Sequence, residues 1–192
     1  MKIITVGITG ASGSIYGLRL IEELAKQDIK IHVIISSTAQ KVIPFETGKK
    51  VDTFIDQLKS KGANVVLEDV NNFFSSVASG SYKTDGMVIA PCSMGTLAAI
   101  SNGISSSLMM RAADVCLKER RPLILLARET PLNTINLENM LKITRAGGIV
   151  MPASPGFYSK PVTLEDAVDF MVGKMLDALK IEHQLYRKWE TT

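Results

Sequence analysis

Histidine and cysteine are scarce in this 192-residue chain, at two of each, and there is a single tryptophan. His32 and His183 are too few and too scattered for a histidine-rich metal site, and neither a CxxC pair nor an aspartate-rich DDxxD box occurs, so no metal is expected. Cys92 and Cys116 make no disulfide framework, which fits a reducing, cytoplasmic setting. No apolar run reaches the roughly eighteen residues of a spanning helix, so no membrane role is expected. Excess charge is also lacking. The 22 basic and 19 acidic residues leave a net charge of +3, too balanced for nucleic acid to be the main partner.

What remains is ordinary for a folded protein: 46% hydrophobic and 21% charged residues, in a length that suits one domain with a substantial core. We read residues 1–192 as one domain with a C-terminal tail from about 181. The opening MKIITVGITG is expected to be a first strand rather than a signal peptide, because glycines follow its apolar hexamer at once. Strands are predicted at 3–8, 29–35, 64–67, 86–90, 123–127 and 149–151. Helices are predicted at 14–27, 38–45, 51–61, 93–100, from Arg111 to the Pro122 stop, 136–146 and from the Thr163 cap to 179. Pro91 and Cys92 are expected to end the fourth strand, and 71–81 carries no firm assignment. Alternating strands and helices with short links imply an α/β fold with a mostly parallel sheet covered on both faces.

Two stretches carry candidate chemistry. GITGASGSIYG (7–17) carries four glycines around the turn from the first strand to the first helix, where backbone can approach a phosphate at a helix N-terminus. The spacing matches neither GxGxxG nor Walker A, and Ser36 and Ser37 stand where a dinucleotide site favours an acidic residue after the second strand. A mononucleotide such as FMN is therefore preferred over NAD or FAD, with a plain structural turn as the alternative. In RAADVCLKERRPLILLARETPL (111–132), Arg111 and Lys118 lie two helical turns apart and so share a face. Arg128 and Glu129 follow a buried strand, where open α/β sheets place ligand-contacting groups. Cations beside a carboxylate suit an anionic substrate that also needs a proton moved; a solvated basic helix with a surface ion pair is the alternative. His32, inside a strand, reads as a satisfied structural histidine, and Cys92 as a small packed core residue.

With these stretches, Glu46-Thr47-Gly48, SGSYKTDGMVIAPCSMGTLAAI and MPASPGFYSKP appear in an order that resembles the UbiX-like flavin prenyltransferases over nearly the whole chain. The resemblance implies a Rossmann-like flavoprotein fold and a metal-free reaction in which dimethylallyl phosphate alkylates reduced FMN at N5 and C6. It also implies delivery of the prenylated flavin to a UbiD-like decarboxylase, and a homo-oligomer, a dodecamer of trimers, with active sites at subunit interfaces. By resemblance, Gly10, Ala11, Ser12, Ser36, Ser93, Met94, Gly95, Thr96 and Arg128 hold FMN. Tyr158 and Lys174 bind the prenyl phosphate, with Arg111 and Lys118 adding positive charge, from a neighbouring chain if not their own. Glu46 and Glu129 are the acidic residues of the site, and Ser12 is placed to polarise the flavin. Trp189 matches a tryptophan near the family's C-terminus.

Two departures stand out. Lys174 occupies a place where relatives usually carry arginine, keeping the charge and losing the bidentate fork. Ser105-Ser106-Ser107 replaces an acidic residue before the RAADV helix. Rival readings are a flavin-dependent cysteine decarboxylase, whose first-helix histidine and PASANT-type segment are missing here, and a non-catalytic FMN carrier.

Overall fold

Six strands form one sheet in which every neighbouring pair is parallel, in the order β3-β2-β1-β4-β5-β6. The structure is a computed structural model and describes residues 1–189, so positions 190–192 of the predicted tail lie outside the described residues. The strands are β1 (Lys2–Ile8), β2 (Ile29–Ile35), β3 (Val65–Glu68), β4 (Gly86–Cys92), β5 (Leu123–Ala127) and β6 (Ile149–Pro152). Between them run α1 (Ser14–Leu24), α2 (Ala39–Thr47), α3 (Val51–Ser60), α4 (Met94–Ser101), α5 (Leu108–Lys118), α6 (Thr134–Arg145) and, last, α7 (Leu164–Ala178).

The central strands are apolar throughout because both faces are covered. All seven residues of β4 and all five of β5 are buried. Alternation then sorts their side chains. Val88, Ala90, Ile124 and Leu126 join the layer built with α1, α2, α3 and α7, while Met87, Ile89, Leu123 and Leu125 join the layer with α4, α5 and α6. Fully burying one such aliphatic side chain contributes about 1.5–3 kcal/mol, and truncating one to alanine costs about 2–5 kcal/mol because a cavity remains.

The helix boundaries follow their caps. Thr163 and Asp166 form the reciprocal capping box of α7, each side chain accepting the other's backbone N–H. Ser107 caps α5, which therefore begins three residues before the predicted Arg111. The fourth strand runs on through Pro91 and Cys92, against the expectation that they end it. There β4 pairs Cys92 with Ala127 after a shift in register, and the carbonyl of Cys92 still accepts a ladder bond from the Arg128 N–H at 3.2 Å. The unassigned stretch 71–81 is mostly turns with one 3₁₀ turn at Ser76–Ala78. No helix of the described residues is long and apolar enough to cross a membrane.

His32 projects from β2 into the layer shared with α5. Its Nδ1 lies 2.6 Å from Glu68 and its Nε2 lies 3.0 Å from the Tyr82 hydroxyl, so both ring nitrogens have partners, as expected of a structural histidine. Cys92 is fully buried, and burial pushes its thiol far above the ordinary range; Cys116 is pushed up to about 11 by the same cause. Both are core residues rather than nucleophiles.

Candidate active site at the β1–β4 seam

The strand order reverses direction between β1 and β4, so the loops after these strands diverge to opposite faces and leave a crevice at their carboxyl ends. Thr9 ties its two walls together. Its hydroxyl donates to the Pro91 carbonyl at 2.7 Å and accepts from the Ser93 N–H at 2.9 Å, and it is buried. Nothing in a single sequence marked Thr9, because its partners are more than eighty positions away.

On the β1 side, the turn Gly10–Gly13 leads into α1. Gly10 admits no side chain: a Cβ there would lie 2.3 Å from the Thr38 methyl. This packing brings the loop after β2 against the glycine turn, and there the Ser36 hydroxyl accepts the Ala39 N–H at 3.1 Å. Glu46, at the end of α2, reaches the N-terminus of α1 and accepts the N–H groups of Gly13 at 3.1 Å and Ser14 at 2.9 Å. Partial burial works to raise the carboxyl, but hydrogen bonds from the Ser12 hydroxyl and the Ser14 and Gly13 N–H groups outweigh it and hold Glu46 below the usual carboxylate range. The helix end offered by the glycine turn is thus filled by a carboxylate of the chain itself. A cleft of about 690 Å³ beside it is lined by Ser12, Gly13, Glu46, Arg19 and Leu164.

On the β4 side, Ser93 caps α4, accepting the Thr96 N–H at 3.4 Å and donating to the Thr96 hydroxyl at 3.1 Å. Met94 and Gly95 open the helix, and a Cβ on Gly95 would meet nothing within 4 Å, so this backbone faces open space. From the next strand end comes Arg128. Its Nε is buried, with no hydrogen-bond partner among the described residues. A buried guanidinium donor without a protein acceptor, next to a hydroxyl-capped helix start, is a donor set for an anion such as the phosphate of FMN. Glu129 does not pair with it; its Oε1 accepts the Thr130 N–H at 3.0 Å and the side chain is exposed.

The structure does not bring Arg111, Lys118 and Lys174 to this crevice within one chain. Arg111 and Lys118 do share a face of α5, as their spacing predicts, but that face meets the 76–82 segment. Arg111 donates to the Ala78 carbonyl at 3.0 Å and to Asp114 at 2.9 Å, and Lys118 pairs with Glu119. Lys118 also sits about 10 Å further along the helix, toward the amino ends of the strands. Lys174 lies on α7 with the tail folded over it, where its Nζ donates to the Tyr186 hydroxyl at 3.4 Å. Tyr158, on a 3₁₀ turn at Phe157–Ser159, packs edge-on against Phe170 and Trp189, with ring centroids 5.5 and 5.6 Å apart. Two separate groupings result: a seam with Ser12, Ser36, Glu46, Ser93 and Arg128, and an aromatic cluster holding Tyr158 and Lys174.

A family model described as Flavoprotein matches residues 1–189. The flavin prenyltransferase UbiX of Halalkalibacterium halodurans is 48% identical over 191 residues, covering 97% of this chain and 93% of that protein. The crystal structure of AnUbiX (PadA1) in complex with FMN and dimethylallyl pyrophosphate superposes with a TM-score of 0.93 at 39% identity, over 100% of this chain and 98% of that one. A dodecameric FMN-dependent UbiX-like decarboxylase from Escherichia coli O157:H7 superposes with a TM-score of 0.92 at 38% identity, over 98% and 100% of the two chains. The peptidyl-cysteine decarboxylase EpiD, 17% identical with a TM-score of 0.62 over 94% and 99%, shares the fold alone. With relatives this similar over nearly its full length, the chain belongs to the Flavoprotein family and, within it, to the UbiX flavin prenyltransferases.

Proposed function

We propose that this chain joins the dimethylallyl group of dimethylallyl phosphate to reduced FMN at N5 and C6, as one FMN-binding domain within a homo-oligomer. Reduced FMN supplies the electron-rich ring that accepts the allyl group. Every other requirement falls on protein side chains. The observation that carries the reading is Arg128: its Nε is buried and without a partner among the described residues just past β5, where its backbone bonds the end of β4, and a flavin phosphate would give it an acceptor. Ser36, Ser93 and Thr96 supply hydroxyls, Met94 and Gly95 supply open backbone, and Gly10 and Ala11 supply close approach for the same ligand.

An allylic phosphate departs when the charge growing on its oxygens is met by fixed donors, and losing one such donor typically costs about 2.7–4 kcal/mol of barrier. Tyr158 and Lys174 fill that role from the aromatic cluster. Arg111 and Lys118, whose groups lie away from the seam of their own chain, contribute from a neighbouring subunit. Glu46 and Ser12, joined at the α1 terminus, are positioned beside the ring, and Glu129 moves the proton released from C6. A dodecameric assembly brings these groups together, and the product passes in the cytoplasm to a UbiD-like decarboxylase.

Anaerobic incubation with reduced FMN and dimethylallyl phosphate tests the reading. A flavin adduct carrying the added prenyl mass is expected. Bound but unmodified FMN would favour a carrier role, and no affinity for FMN would overturn both.

A further inference from the structure

The last described segment folds back on α7 and joins Lys174 to a polar chain whose other members, Tyr186, Asp177 and His183, neither the family likeness nor the chemistry above requires. Lys174 Nζ donates to the Tyr186 hydroxyl at 3.4 Å and lies 5.6 Å from the centre of the Tyr186 ring. The Tyr186 hydroxyl donates to Asp177 Oδ2 at 2.5 Å, and His183 Nε2 lies 3.1 Å from Asp177 Oδ1. His183 Nδ1 accepts the Leu185 N–H at 3.2 Å, which assigns the ring proton to Nε2 and makes the histidine a donor to the carboxylate. The direction of every bond in the chain is therefore set: His183 to Asp177, Tyr186 to Asp177, Lys174 to Tyr186.

The packing is tight enough to keep this order. The side chain of His183 is 2% exposed. Tyr186 packs on Phe170 with centroids 4.9 Å apart, and Phe170 in turn meets Tyr158. Position 173 must be glycine, since a Cβ there would lie 2.5 Å from the Tyr186 ring and 2.7 Å from the His183 ring. Burial first, then the bond to Asp177, raises the Tyr186 phenol so far that it stays protonated and keeps donating to Asp177. Its oxygen is then left to accept from the ammonium alone.

We infer that Tyr186 is a positioning residue for the prenyl phosphate, holding one N–H of Lys174 so that the other two point at the anion. This rests on the assignment of Lys174 to that phosphate. It explains how a lysine serves where relatives usually carry arginine. Arginine is oriented by its own planar fork, whereas an ammonium on a four-carbon stem needs an external acceptor to fix its direction.

The test uses the full-length protein loaded with FMN. Tyr186→Phe keeps the ring and removes only the hydroxyl. The expected result is a Kd for dimethylallyl phosphate about five- to tenfold weaker in the oxidised, non-turnover form, with KM raised to match and FMN affinity unchanged, while the lost bond to Asp177 lowers the melting temperature equally in the single and the rescued variant. Adding Lys174→Arg to Tyr186→Phe should restore the affinity, because the fork needs no tyrosine. An unchanged Kd in Tyr186→Phe, with Lys174→Ala losing the phosphate, overturns the positioning role and leaves the proposed function intact. An unchanged Kd in Lys174→Ala overturns the assignment of Lys174 itself. A parallel weakening of FMN and of dimethylallyl phosphate binding in Tyr186→Phe, without rescue by arginine, would make the hydroxyl structural only.

Discussion

Glu46 accepts two backbone N–H groups at the first turn of α1, those of Gly13 and Ser14, at 3.1 and 2.9 Å. A carboxylate from a different helix thus neutralises the positive end of α1, a placement that stabilises a helix by about 0.3–1 kcal/mol at a partly exposed site. Glu46→Gln keeps the size and loses the charge, so its melting temperature at pH 7 should fall by about 1–4 °C. The sign of the pH effect follows from the lowered carboxyl. The contribution is complete above the ordinary value of 4.5 and disappears as pH falls through the lower folded value. Calorimetric scans of both proteins should therefore show a constant gap from neutral to mildly acidic pH, closing well below pH 4.5; a gap undiminished at the acid end would show that charge is not its source.

Arg128 presents the opposite situation, a buried donor the fold does not use. Arg128→Ala should leave the melting temperature close to that of the parent protein while weakening FMN by about 10- to 100-fold, the worth of a hydrogen bond to a charged group. Titration followed by flavin fluorescence measures it. Equal FMN affinity in the two proteins would remove Arg128 from the binding site.

Cys92 should be inert in the folded protein. Its thiol is fully buried and pushed far up by that burial, so almost no thiolate exists at neutral pH. Mass spectrometry after iodoacetamide treatment should find Cys92 unmodified in the native protein and alkylated in urea. Cys92→Ser should lower stability by about 1–3 kcal/mol through an unsatisfied hydroxyl, and activity should follow only the amount of folded protein.

His32, itself buried, supports two partly buried partners, Glu68 and Tyr82. His32→Leu preserves volume and strands the Glu68 carboxyl, so urea unfolding should report a loss of about 1–3 kcal/mol. A variant as stable as the parent would mean that Glu68 finds water instead.

These contacts mark the limit of what one sequence discloses. The strand at 123–127 was legible because an unbroken apolar run of strand length has few other uses, and the one at 29–35 because its β-branched residues dominate despite Lys30 and His32. The start of α7 was legible because Thr163 and Asp166 satisfy each other within one turn. Glu46 as the cap of α1 was not, since nothing local links positions 13 and 46. For the same reason, the shared face of Arg111 and Lys118 was read correctly while its occupant was not: the Ala78 carbonyl could take Arg111 only once the 76–82 segment had docked, whereas Asp114 lies one turn away on the same helix. Pro91 misled in a different way. Proline suggested the end of a strand, yet it donates nothing in any case, and its carbonyl still accepts from Thr9.

The tie that Thr9 makes across the β1–β4 seam has an outcome for the molecule as a whole. It joins a three-strand portion ending in β3 to another ending in β6, and each portion supplies one wall of the crevice proposed to take the flavin. Neither portion alone has a complete cradle. Occupancy by flavin should therefore slow amide hydrogen exchange on both sides of the seam together, making the ligand a latch between two halves of the chain rather than a passenger on one.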